Sequence, residues 1–164
     1  MEDIPVNAKQ LRELVIRPTL QYLTPVIPYS ETATELLMMT VAHESHLGEY
    51  IAQVGGPALG IYQMEPNTEL DIYDNFARYK DKIGMYIQQV IATGEPDELI
   101  WNTKYATVMA RVHYFRVPEA LPEGSLQNEE TIRKLAAYAK KYYNTELGKA
   151  TEEDYYEAYM RLCR

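Results

Sequence analysis

The stretch VAHESHLGEYIAQVGGPALGIYQMEPNT, residues 41–68, sets a carboxylate, Glu44, near the end of an apolar helical run. Leu36, Leu37, Met38, Met39 and Val41 precede it. On a helix Glu44 shares a side with Val41, three residues back, and Leu37, seven back. Thr40 interrupts that stripe, so partial burial is expected. Apolar walls disfavour the ionised carboxyl and raise its pKa. A raised pKa is what a general acid needs to protonate the oxygen of a departing sugar. The alternative is an exposed glutamate in the last helical turn, slightly unfavourable beside the partial negative charge of that helix end.

The loop that follows carries Gly55, Gly56 and Gly60. Glycines permit positive φ and close approach of backbone to a ligand, or simply a tight connection. Gly60, Ile61, Tyr62 and Gln63 then set a phenol and a long amide after the hinge. The Gln63 amide both donates and accepts, which suits sugar hydroxyls and acetamido groups.

Two other chemistries fit the residues less well. His43 and His46 flank Glu44 but stand three apart, whereas a zinc-binding helix needs histidines four apart on one face; His113 is the third histidine. Cys163 has no base nearby in sequence, so a thiol nucleophile is not expected. No cofactor and no metal are expected. Glu65, Glu69, Asp71 and Asp74 could supply a second carboxylate, although each also reads as a solvated acid near a helix start.

The elements that must position these groups read as helices nearly throughout, an all-α fold of about six to eight helices with a loop-rich segment after the Glu44 helix. Asn7 caps a first helix through Leu11, Leu14, Val15, Leu20 and Leu23, which Pro18 should kink or break. Thr32 with Glu35 reads as a capping box for the Glu44 helix, and Gly48 as its stop. Asn67 or Thr68 opens a helix through Ile72, Phe76 and Tyr79. Ile83, Tyr86, Ile87, Val90 and Ile91 form another, ending at Gly94. Asp97 caps a helix that runs through Trp101 and Tyr105 to Phe115. Residues 129–143 and a segment capped by Thr151 with Asp154 complete the set. The domain reading is a single unit over 1–164, with an N-terminal helix and connector over 1–30 and a C-terminal helix over 151–164.

Composition bounds the partners. The net charge is -8 and the pI about 4.9, with lysine and arginine scattered, which argues against a nucleic-acid-binding module. No apolar run is long enough to span a bilayer, so membrane insertion is not expected. Tyrosine is abundant, 15 against 2 Phe and 1 Trp, which suits either a half-wet glycan groove or helix seams with the hydroxyls at their edges. The start, MEDIPVNAKQLRELV, lacks the basic and apolar stretches of a secretory signal.

The motifs together carry a resemblance. Glu44-Ser45 at a helix end, then Gly56-Pro57-Ala58-Leu59-Gly60-Ile61-Tyr62-Gln63-Met64-Glu65-Pro66-Asn67-Thr68, resembles the signature of the lytic transglycosylases of the SLT type, in the goose-type lysozyme-like superfamily. Gln63 follows Glu44 by 19 residues, close to that family's spacing. The late Tyr142-Tyr143-Asn144-Thr145-Glu146-Leu147-Gly148 is similar to its Ala-Tyr-Asn-x-Gly element. The resemblance covers about residues 35–148. Pro57 and Glu146 depart from the family pattern, and the serine usual before the Gly-Ala element is absent.

The resemblance implies a lysozyme-like fold and cleavage of the β-1,4 bond between N-acetylmuramic acid and N-acetylglucosamine in peptidoglycan glycan strands. Glu44 would act as general acid and then base, giving a 1,6-anhydro product. Tyr143 would hydrogen-bond Glu44 or the sugar. Gln63 and Asn144 would hold the acetamido sugar, with Ser45 supporting the geometry and Gly60, Tyr62 and Met64 completing the binding set. A hydrolytic lysozyme, or a glycan-binding or virion module that does not cut, are the alternatives on the same scaffold. The expected setting is a bacteriophage or prophage protein made in the host cytoplasm, acting at the bacterial cell wall through a holin or within a particle.

Overall fold

A computed structural model describes residues 7–144 and 148–164. Thr145, Glu146 and Leu147 of the late motif, and the acidic first six residues, lie outside the described residues. The described chain is all-helical, with isolated bridges in place of strands. Among the described residues no helix is long and apolar enough to cross a membrane.

The first helix, α1, runs over 8–22. Asn7 caps it by accepting from Gln10 N at 3.1 Å. Pro18 does not break it. Proline cannot donate to the carbonyl four residues back and crowds it, and the chain absorbs this in a π-helical stretch, Leu11–Ile16, just before Arg17–Tyr22. The wider turn re-phases the apolar face. Leu11, Ile16, Leu20 and Leu23 are buried, while Leu14 is turned out to 69% exposure.

The second helix, α2 (Glu31–Ser45), is buried along nearly its whole length. A helix apolar all round belongs in the middle of a domain, and helices α1, α6, α7 and α8 pack against this one. Its cap is Ser30, whose Oγ accepts from Ala33 N at 3.1 Å, rather than Thr32. Glu35, expected in that cap, points instead to Arg12 in a paired contact at 2.9 Å to each oxygen, and it also accepts from the Tyr159 hydroxyl at 2.7 Å. Thr40 is fully buried between the Leu36 carbonyl and the Tyr114 hydroxyl, both at 2.8 Å.

The helix stops at Ser45, before Gly48, because His46, Leu47 and Gly48 all take left-handed backbone (φ 50, 57 and 83°). Leu47 N still reaches the Val41 carbonyl at 3.2 Å, which satisfies one of the helix's last acceptors.

The loop over 46–65 folds on itself through bridges pairing Ala52 with Leu59 and Leu59 with Met64. Helix α3 (Pro66–Asn75) follows, with Pro66 in its first turn, then a short 3-10 turn, Ala77–Tyr79, and α4 (Asp81–Gln88). The single helix expected from Asp97 is two. Short α5 (Glu98–Trp101) ends at Asn102, which caps α6 (Thr103–Phe115) by accepting from Tyr105 N at 3.0 Å. Glu98 is the reason for the break. Its carboxylate is wholly buried and accepts from the backbone of Ala92, Thr93 and Gly94 and from the Asn102 side chain. Burial alone would raise its pKa, but these donors together bring it down to about 2.

Helix α7 (Glu129–Ala139) passes into a π turn, Lys140–Asn144, and α8 (Glu152–Cys163) closes the fold. Thr151 and Asp154 form the expected reciprocal cap, at 3.1 and 2.8 Å. Helix α8 makes the most extensive packing against α2, and brings Tyr155 and Tyr159 to opposite ends of that seam.

Candidate functional site

Glu44 sits in the last turn of α2 with its side chain partly buried. Burial pushes its carboxyl up to about 7, against a counteracting hydrogen bond from Tyr155. The Tyr155 hydroxyl donates to Glu44 Oε1 at 2.7 Å. Tyr155 is itself fully buried, and its ring lies against His43 with centroids 4.0 Å apart. The carboxyl is therefore held in one place by a group from the far end of the chain, and near neutral pH it is available in both protonation states.

Glu44 lines a cleft of about 930 Å³. Gln63, Met64, Tyr143 and Asn144 line the same cleft, so four of the residues singled out beside Glu44 converge on it. So do Glu65, Asn67, Thr68 and Asp71 of the loop and α3, and His113, Arg116 and Tyr142 opposite. Its size lies at the upper end for small-ligand sites.

The loop geometry explains how Gln63 reaches the wall. Gly60 is buried with φ +78°, and a side chain there would meet the Leu99 carbonyl oxygen at 2.0 Å. Only glycine lets the loop lie this close to α5. The Gly60 carbonyl then accepts from both Gln63 N at 3.0 Å and Gln63 Nε2 at 2.8 Å. Gln63 has left-handed backbone (φ 48°), a strained setting for a residue with a side chain.

Three of the expected binding residues do not face the cleft. Ser45 is fully buried. Its hydroxyl donates to the Ile61 carbonyl at 2.6 Å and accepts from Gly48 N at 3.0 Å, tying the helix end to the loop. Gly60 acts through backbone, as above. Tyr62 is buried with its hydroxyl against Thr107 Oγ1 at 2.9 Å. All three are positioning residues: the loop's inner surface is apolar and must bury itself against α6 and α5.

Tyr143 takes a different partner from the one expected. Its hydroxyl donates to the Tyr62 carbonyl at 2.5 Å, while its ring stacks on Tyr114 and meets the edge of His113. Burial, with the nearby Glu44 charge, raises its pKa well above the ordinary value, so it stays a neutral phenol. It locks the late segment to the Gly-rich loop across the cleft floor. The tyrosine that touches Glu44 is Tyr155, which sequence reading missed. Its only signal is membership of an amphipathic C-terminal helix behind the Thr151 cap. Asn144 accepts from Lys140 Nζ at 2.8 Å and thereby fixes its amide at the cleft edge.

Of the four candidate second carboxylates, Glu65 and Asp71 line the cleft. Glu69 is buried elsewhere, accepting from the Tyr105 hydroxyl at 2.6 Å, and Asp74 lies on a separate surface groove. Asp71 pairs with Arg116 at 2.6 Å, which holds its carboxyl below the usual range.

The histidines are dispersed. His43 stacks on Tyr155, His46 pairs with Glu49 at 3.3 Å, and His113 bonds Arg116. Among the described residues no three His, Cys, Asp or Glu side chains gather into a metal-holding group. Cys163 is buried with its thiol directed at the Met38 carbonyl, and burial pushes it up to about 12.

Compared with protein-family models, curated proteins and solved structures, the chain matches none. Its function therefore rests on the chemistry of this cleft.

Proposed function

We propose that the chain cleaves peptidoglycan as a lytic transglycosylase, with Glu44 as the single acid and base. The observation that carries this reading is one carboxyl, half-buried and held at about 7, in the wall of a cleft that it shares with the Gln63 and Asn144 amides. A protonated Glu44 gives its proton to the glycosidic oxygen as the C1–O bond breaks. The acetamido oxygen of the same muramoyl residue attacks C1 and carries the positive charge as an oxazolinium. The resulting Glu44 carboxylate takes the proton of the 6-hydroxyl, and that oxygen displaces the acetamido oxygen from C1. The products are a 1,6-anhydro end and a free 4-hydroxyl, with no water consumed.

Hydrolysis would call on a second carboxylate to activate water. Asp71 is tied to Arg116 and held below its ordinary range, which makes it a weak base. That takes one of the two further cleft carboxylates out of the role and leaves Glu65 as the residue that a lysozyme would have to use. The place of action on this reading is the bacterial cell wall.

The test is mass spectrometry of purified peptidoglycan after digestion by the native protein and by Glu44→Gln. Anhydro ends that vanish in the variant are expected. Reducing ends would make the protein a hydrolytic lysozyme, and binding without cleavage would make it a glycan-holding module. Undiminished cleavage by Glu44→Gln would remove Glu44 from the mechanism.

A further inference from the structure

Arg116 sits where α6 ends and lines the cleft. It is the sole lysine or arginine among the described residues that do so. Its guanidinium is held on two sides. Nη1 donates to Asp71 Oδ2 at 2.6 Å and Nη2 contacts His113 Nδ1 at 3.0 Å. Arginine can only donate, so His113 Nδ1 must be the unprotonated nitrogen and Nε2 carries the hydrogen. The Tyr142 backbone favours the charged form of the ring, but more weakly than burial opposes it. Burial, and then Arg116 itself, bring the His113 pKa down to about 4, so the ring is neutral and adds no second positive charge.

The arrangement runs Asp71, Arg116, His113 and holds the guanidinium from α3 and α6. Two of the five N–H groups are used, and among the described residues the guanidinium makes no further hydrogen bond. The Arg116 side chain is 17% exposed and that of Asp71 48%, so the cation is partly shielded while its partner is half in solvent. A planar fork held in this way is suited to receive a carboxylate on two parallel N–H groups. In a protein of net charge -8 whose cleft also holds Glu44 and Glu65, long-range attraction for an anion is absent. A local cation is then the feature that admits one.

We propose that Arg116 recognises a carboxylate borne on the muramoyl side of the glycan, with Asp71 as the internal ligand that it displaces. The inference rests on the glycan-cleaving reading and names a substrate feature for it. The carboxylate has two possible sources, the free lactyl group of a peptide-free strand and the carboxyl groups of a stem peptide.

The experiment measures binding in a Glu44→Gln background, so that nothing is cut. Three tetrasaccharides are the probes: chitotetraose, which has no carboxylate; a peptide-free muramoyl tetrasaccharide; and the same sugar carrying stem peptides. Tighter binding of one muramoyl probe than of chitotetraose is expected, and which one identifies the source. Adding Arg116→Gln should shrink that ratio about tenfold, the scale of one charge-assisted hydrogen bond. Arg116→Lys should shrink it less. Asp71→Asn, which removes the competing ligand, should widen it severalfold and also serves if Arg116→Gln does not fold. Equal ratios in the parent, the Arg116 variants and Asp71→Asn would overturn the proposal. Because cleavage by the native protein and its loss in Glu44→Gln are read separately, that failure leaves the transglycosylase reading standing. A failure of cleavage itself would be visible as such.

Discussion

Tyr155 donates its phenolic hydrogen to Glu44 Oε1 at 2.7 Å, bridging 111 residues of chain. The bond favours the charged carboxylate and so opposes the burial that raises its pKa. Removing it with Tyr155→Phe is expected to raise the Glu44 pKa further. The alkaline limb of the activity profile should then move to higher pH. Turnover below that limb should fall about tenfold, the equivalent of one hydrogen bond of roughly 1.4 kcal/mol lost from the positioning of the acid. A pH–rate profile of the variant checks both.

The raised pKa of Glu44 also makes a prediction about stability. The folded protein binds this proton up to about pH 7, whereas an ordinary glutamate releases it near 4.5. Through this group alone the folded state holds more protons between those values, so its contribution to stability falls as pH rises through that window and levels off above it. His113, held down at about 4, contributes in the opposite sense over the lower part of that window. Glu44→Gln removes the Glu44 contribution and leaves that of His113 in place. Relative to the native protein it should gain about 2 kcal/mol between pH 4.5 and pH 8, a figure already reduced for the carboxyl's partial exposure. Urea unfolding at the two pH values measures the difference.

Gly60→Ala is expected to be severe. The added methyl would meet the Leu99 carbonyl oxygen at 2.0 Å, and φ there is +78°. Either the loop lifts from α5 or the backbone changes region, at a cost of about 3 kcal/mol. Since Gln63 hangs from the Gly60 carbonyl, the proposed function predicts that glycan binding weakens together with the melting temperature. Normal binding in a destabilised variant would show that the loop's position does not matter to the cleft.

At the other end of the central seam, Arg12 and Glu35 form a mostly buried pair, with side chains 18% and 9% exposed. Arg12→Met would leave the carboxylate with the Tyr159 hydroxyl as its remaining partner among the described residues. A loss of roughly 2 kcal/mol is expected, toward the low end for breaking such a pair because Arg12 retains some solvent. Thermal unfolding reads it, and activity per folded molecule should stay unchanged, because neither residue lines the cleft.

The helical class was legible because most elements obey one period and carry visible caps, as at Asn7 and at Thr151 with Asp154. The errors came where a side chain found a tertiary partner stronger than its local one. Glu35 leaves the predicted capping box for Arg12, and Ser30 takes over the cap. Asn102, backed by Glu98, splits one predicted helix into two. Pro18 widens its helix into a π turn and throws Leu14 outward. The cleft was half legible. Glu44 and Gln63 could be picked from residue type and spacing, and Asn144 only from the resemblance of the late motif. Which tyrosine reaches Glu44 could not, since that depends on how α8 crosses α2. Ser45 and Tyr62 looked like ligand contacts because they are polar groups in the right motif, yet burial had already claimed their hydroxyls for Ile61 and Thr107.

The proton donor and the phenol that steadies it arrive from widely separated stretches of chain, and neither is in place until α8 has docked along α2. A partly assembled molecule therefore presents an ordinary, ionised glutamate, chemically idle at neutral pH. On the proposed reading, cleavage requires that contact, and its first appearance during refolding should coincide with the docking of α8 along α2 rather than with the growth of any single helix.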